Sequence, residues 1–169
     1  MQVASRATYF AADIKKGKEG EKIFLEDFLL FMKIKFNDVS GEQKFQIMDT
    51  DYTSQLGMYE IKANYKDDNK IYIEEYTNYN KELGPIKEGW FFKTKADTLV
   101  FVSKATRTMI IIPFTDEFKN HYEKIKQKYP LKLNAVSVRG KSKWQSAFRC
   151  IPLSELEGFY SVYRKPSSE

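Results

Sequence analysis

One cysteine, Cys150, and one histidine, His121, are all that the 169 residues offer of those two types. A lone cysteine excludes an intramolecular disulfide and a cysteine-ligated zinc cluster. A lone histidine excludes any site that needs two from one chain. No apolar run reaches the ~18–20 residues of a membrane span, and the first residues lack the apolar centre of a secretory leader. These absences predict a soluble, cytoplasmic protein with no membrane partner. What is present is globular in composition, 42% hydrophobic and 30% charged. The length fits one domain over 1–169, with a core over about 12–128, a basic extension over 129–164 and a frayed tail over 165–169.

The formal charge of +5 is unevenly spread. Residues 41–80 carry 4 basic and 8 acidic side chains, whereas 121–169 carry 10 and 4. Eight basic residues and no acid lie between Lys124 and Arg149. Such a segment attracts phosphates, unless it is simply a solvated basic face. The acidic middle is more telling: carboxylates that converge either bind a cation or raise each other's pKa.

Apolar periodicity predicts a helix over 12–32, starting as late as Glu19 because Gly17 and Gly20 weaken its first part. A short strand is expected over 33–39, and a strand or loop-to-strand passage over 45–54. After Gly57 a second strand carries Met58, Tyr59, Ile61 and Tyr65, and 70–79 alternates as a third. Residues 79–89 read as a loop. The runs 98–103 and 108–113 read as a buried hairpin. Thr115 is placed to cap a helix reaching Lys128, with Asp116 and Glu117 in its first turn. A turn at Gly140, a last strand over 147–151 and a short helix over 153–159 follow. The predicted class is α/β (α+β), a mixed sheet flanked by helices.

The chemistry is concentrated in DTDYTSQLGMYEIKAN, residues 49–64. Glu60 and Lys62 are two apart on a strand, so they share one sheet face. The gap from Asp51 to Glu60 is long enough for a hairpin, which can bring Asp51 beside Glu60. Ile61, apolar between the charges, suits a strand buried on its other face. Glu21 on the first helix can approach the same patch. Carboxylate oxygens bind hard cations such as Mg2+. A bound metal activates water, and a nearby lysine stabilises developing negative charge. These parts hydrolyse a phosphodiester without histidine or cysteine. A surface Glu–Lys ion pair is the ordinary alternative.

Four segments, KGKEGE at 16–21, FQIMDTD at 45–51, EIK at 60–62 and GWFFKTKAD at 89–97, keep the order and spacing of a known family. In them the chain resembles the PD-(D/E)XK nuclease superfamily, with its restriction-endonuclease-like fold. The likeness is to small nuclease-like proteins of phages and mobile elements of Gram-positive bacteria. It implies a four- or five-stranded mixed sheet and a metal-dependent nuclease acting on DNA, endonuclease rather than exonuclease. It also implies that Asp51 and Glu60 hold Mg2+ or Mn2+, that Lys62 assists the water, and that Glu21 matches a helix carboxylate some members add. Asp49 is the rival to Asp51. The residues after Asp51, Tyr52, Thr53 and Ser54, are more polar than the pair usual in the superfamily.

Around this patch, Gln46, Glu42 and one of Glu74 and Glu75 are candidates for a supporting role. Lys16, Lys93, Lys95, Arg139, Lys141 and Lys143 are candidates for DNA backbone contact. Trp90, Phe91 and Phe92 stack on an unpaired base or pack over the sheet. His121 has no assigned role, and Cys150 reads as a small buried residue. A homodimer would suit cutting of two strands. The alternatives are an inactive nucleic-acid-binding module on the same fold and a phage-type protein-interaction factor.

Overall fold

Two apolar runs, TLVFV and TMIIIP, lack any alternation of polar and apolar residues, which requires that both their faces be covered. In the computed structural model, which describes residues 6–134, 137–139 and 142–165, they are the central strands. The elements in order are α1 (Arg6–Phe24), a wider π-turn segment Leu25–Leu30, β1 (Phe36–Asp38), α2 (Gln43–Ile47), β2 (Tyr52–Ser54) and β3 (Gly57–Lys62). Next come β4 (Lys70–Asn80), β5 (Gly84–Glu88), α3 (Trp90–Lys93), β6 (Thr98–Val102), β7 (Thr108–Pro113) and α4 (Asp116–Ile125). The chain closes with β8 (Lys132–Leu133), β9 (Ser137–Arg139), β10 (Ser142–Pro152), a single 3-10 turn Leu153–Leu156 and β11 (Ser161–Arg164).

The architecture is mixed α+β. A six-stranded sheet runs β1-β2-β3-β6-β7-β11, with β3 and β6 parallel and the other neighbours antiparallel. A second sheet runs β5-β4-β10-β8, with β9 paired to β10. Strand alternation divides the first sheet's side chains between two cores. Val100, Val102, Met109, Tyr59 and Ile61 pack with Phe24 and Leu29 of the first helical segment. Leu99, Phe101, Ile110 and Ile112 pack with Ile71, Ile73 and Ile151 of the second sheet and with Phe118 and Tyr122 of α4. No described helix is long and apolar enough to cross a membrane.

Several expectations need correction. The strand or loop-to-strand passage expected over 45–54 begins instead in the short helix α2 and ends in β2. The loop expected over 79–89 contains β5, paired with β4. The third predicted strand, β4, joins the second sheet, where a long β10 runs antiparallel to it. The first helix begins at Arg6 and includes both glycines. Gly20 is there because α1 crosses β3 closely: a Cβ at Gly20 would overlap the Ala63 Cβ and lie 3.1 Å from its Cα. The Thr115 cap stands, with its hydroxyl accepting from the Phe118 N–H, and α4 ends at Ile125 before a 3-10 turn to Lys128. The tail is described only as far as Lys165; its residues 166–169 lie outside the described residues.

The basic segment is less available to phosphate than its composition suggests. Arg149 is mostly covered, its side chain 12% exposed: its guanidinium holds buried Glu75 at 3.0 Å and donates to the Tyr129 carbonyl. Lys126 and Lys128 pair with Glu123 and Glu155. Lys124 and Lys132 are exposed.

Candidate active site

A tight hairpin, β2–β3, builds the site. Tyr52 pairs with Tyr59 and Ser54 with Gly57, so Asp51, one residue before β2, lies beside Glu60. Two backbone contacts lock it there. The Asp51 N–H donates to the Tyr59 carbonyl at 2.8 Å, and the Ile61 N–H donates to Asp51 Oδ2 at 2.7 Å. Glu60 and Lys62 share the sheet face of their partners Leu99 and Phe101 on β6. Ile61 faces the helical side.

Burial controls the electrostatics. Glu60 is only 3% exposed. Burial drives its carboxyl up to about 8, against the pull of Lys62, and Asp51 adds to the rise. Glu60 Oε1 contacts Lys62 Nζ. Its Oε2 is buried and accepts no hydrogen bond from any described residue. Burial also raises the Asp51 carboxyl, while the Ile61 N–H and Lys62 oppose the shift. Glu21 approaches from α1 on the helical side of the sheet. Burial and then the Asp51 and Asp38 charges push its carboxyl up to about 7. Asp51 is thus the strongest like-charge neighbour of both Glu21 and Glu60. Burial works against the Lys62 ammonium, but Glu60, Asp51 and Asp49 together hold its pKa above the ordinary lysine value. The ammonium lies 4.9 Å from the centre of the Trp90 ring, a cation–π contact.

Trp90 reaches Lys62 because α3 starts hard against β4. A Cβ at Gly89 would overlap the Glu74 carbonyl oxygen and lie 2.8 Å from the Glu75 carbonyl carbon. Trp90 and Phe91 are buried in the core, so the aromatic run packs rather than offering free rings. Asp49 occupies the left-handed region at φ 46°, as a turn residue, and pairs with Lys93 at 2.8 Å. The Thr94 hydroxyl donates to the Asp49 carbonyl at 2.8 Å, tying this turn to the end of α3.

Of the two glutamates on β4, Glu75 is buried under Tyr122 and Arg149. Glu74 is the one that meets the site. Burial raises its carboxyl, opposed by Lys62, Lys93, the Trp90 N–H and the Ser146 hydroxyl. Gln46 is exposed and donates to the Ser40 carbonyl at 3.0 Å, and Glu42 pairs with Lys44 at 3.6 Å, so neither is held to the patch. Lys16 and Lys95 are exposed. Lys141 lies outside the described residues, and Arg139 and Lys143 are described only as positions of the β9–β10 ribbon. His121 Nε2 lies 2.6 Å from the Glu155 carbonyl oxygen, with its ring stacked on Phe159. Cys150 is half-buried.

Sequence reasoning missed Asp38, which pairs across β1–β2 with Tyr52 and adds charge near Glu21 and Asp51. The only signal was an acid in a short strand, which is indistinguishable from a solvated one. Sequence reasoning also missed the placement of Trp90 against Lys62.

The donor set is all oxygen, which suits Mg2+ or Mn2+ rather than a softer metal. An unpartnered, buried Glu60 oxygen beside a second carboxylate fits a small hard cation. Among the described residues no three Asp, Glu, His or Cys side chains gather closely enough to enclose an ion. Mg2+ takes one or two carboxylates and keeps its remaining positions for water and phosphate, so the Asp51–Glu60 pair suffices. Compared with protein-family models, with curated proteins and with solved structures, the chain matches none.

Proposed function

We propose that this chain is a metal-dependent nuclease of the PD-(D/E)XK type, hydrolysing DNA phosphodiester bonds. The observation that carries the reading is the β2–β3 hairpin, which sets Asp51 beside a buried Glu60 with one free oxygen and puts Lys62 on the same face. Asp51 and Glu60 would hold Mg2+ or Mn2+, and Glu21 adds negative charge from the helix side. The ion, when bound, lowers the pKa of a water and offsets charge on the phosphate. Lys62 remains cationic and is oriented by Glu60 and Trp90, so it stabilises the negative charge that develops as water attacks phosphorus. Exposed Lys16 and Lys95 hold the backbone without reading sequence.

The test incubates the protein with plasmid, single-stranded and branched DNA across a Mg2+ and Mn2+ titration. Wild type cuts only with metal, and Asp51→Ala, Glu60→Ala and Lys62→Ala lose cleavage while circular dichroism shows the fold retained. Undiminished cutting by all three refutes the site. A second reading, a nucleic-acid-binding module without activity, is favoured by the direct Lys62–Glu60 ion pair, which occupies one Glu60 oxygen. It predicts salt-dependent DNA binding by wild type with no cleavage at any metal concentration.

A further inference from the structure

Trp90, whose ring meets the Lys62 ammonium, also lines a cavity of about 240 Å3 that opens between the segment after β3, strand β4 and strand β10. A pocket for a drug-sized ligand measures about 300–1,000 Å3, so this one suits a single ring system. Its apolar lining is aromatic: Trp90, Tyr72 and Phe148, the last two with ring centres 6.1 Å apart and tilted by 45°. Its polar lining includes Asn64 and Glu74, with Lys66 also at the wall. Lys66 is exposed and places its ammonium 5.0 Å from the centre of the Tyr72 ring. Asn64 Oδ1 is buried and receives no hydrogen bond from any described residue. A buried acceptor left without a donor is costly, and a ligand that brings an N–H removes that cost.

We infer that this cavity receives one unpaired nucleobase of the DNA strand that meets Lys62. The half-buried Tyr72 and Phe148 rings offer a face for stacking, which any base satisfies, while buried Trp90 only closes the wall. Asn64 Oδ1 accepts from a ring N–H or exocyclic amine, and Lys66 at the wall attracts the adjoining phosphate. A base within a duplex offers neither its faces nor its Watson–Crick edge, so the cavity selects single-stranded or frayed DNA. This inference rests on the nucleic-acid reading above and narrows its substrate class. It does not depend on cleavage, because none of the cavity residues it uses is a proposed metal ligand.

The experiment measures binding in EDTA, where no cutting occurs. The probes are a fluorescent 12-nucleotide single strand containing one 2-aminopurine and a blunt duplex of the same sequence. Wild type is expected to bind the single strand at least tenfold tighter and to change its 2-aminopurine emission. Phe148→Leu keeps apolar volume while removing the ring, and Asn64→Asp keeps the shape while changing the amide to a charge. Each is expected to weaken single-strand binding about tenfold and to leave duplex binding unchanged, with urea melts confirming the fold. Equal binding of both probes by wild type overturns the inference, as does wild-type affinity and emission in both variants. Metal-dependent cutting by variants that bind like wild type removes the base site and keeps the nuclease. Base binding without cutting by wild type keeps the base site and removes the nuclease.

Discussion

Gly17 and Gly20 sit one turn apart on α1, and the structure assigns opposite signs to the same substitution at each. On an open helix surface, replacing glycine by alanine stabilises by about 0.5–1 kcal/mol, because the unfolded chain loses freedom and the helix gains propensity. Gly17 meets that condition: a Cβ there would lie 4.0 Å from Glu21 Oε1 and touch nothing closer. Gly20 does not, since its Cβ would overlap the Ala63 Cβ and press on the Ala63 backbone, which cannot rotate away. Overpacking of this kind costs about 1–3 kcal/mol, against a propensity gain of about 1 kcal/mol. The net expectation is Gly17→Ala stabilised by about 0.5 kcal/mol and Gly20→Ala destabilised by up to about 2 kcal/mol. Urea unfolding of the two variants and wild type, at unchanged m-value, measures both. Because Glu21 follows Gly20 directly, a helix pushed off β3 also carries Glu21 away from Asp51, so Gly20→Ala should cut more slowly than Gly17→Ala. If Gly20→Ala proves as stable as Gly17→Ala, α1 does not pack on Ala63 as described, and the placement of Glu21 falls with it.

Three further outcomes are expected. Glu21 has its carboxyl raised from 4.5 to about 7, so the folded state keeps a proton the unfolded chain releases, and stability falls as pH rises through that window. The side chain is only half-buried, and after solvent screening Glu21→Gln should be more stable than wild type by about 1 kcal/mol at pH 8.5 and equal to it at pH 4, in paired urea melts. Saturating Mg2+ at pH 8 should raise the melting temperature by about 5 °C or more, from about 2.7 kcal/mol at a hundredfold excess over Kd. Asp51→Asn and Glu60→Gln should abolish that rise in the same calorimetric scan. Asp27 is fully buried and held by Arg107, at 2.8 Å for its second contact, and by Lys165 at 3.0 Å. Arg107→Met should therefore destabilise by about 3 kcal/mol. Those cations depress the Asp27 carboxyl despite its burial, so the loss should shrink as pH falls and the carboxyl protonates.

Local spacing determined the centre of the site and a good part of the sheet around it. The Glu60–Ile61–Lys62 triplet has a strand's period of two, so the division of its faces follows from sequence alone. The gap between Asp51 and Glu60 has room for a hairpin, and Thr115 caps its helix through neighbours within one turn. The runs 98–102 and 108–113 announce burial on both faces because, after an initial threonine, they have no polar position to turn outward. Everything decided by partners distant in sequence was hidden. Glu74 and Glu75 are indistinguishable in the chain, and only the pairing of β4 with β10 puts one under Tyr122 and the other toward Lys62. Arg149 belongs to a basic run by composition, yet its guanidinium is bound to the buried Glu75. Gly20 reads as a weak point of a helix until Ala63 is seen against it. Periodicity reports which side of an element is buried, but not what buries it. The identity of that partner is set by which two surfaces exclude water together, and only the tertiary structure decides that.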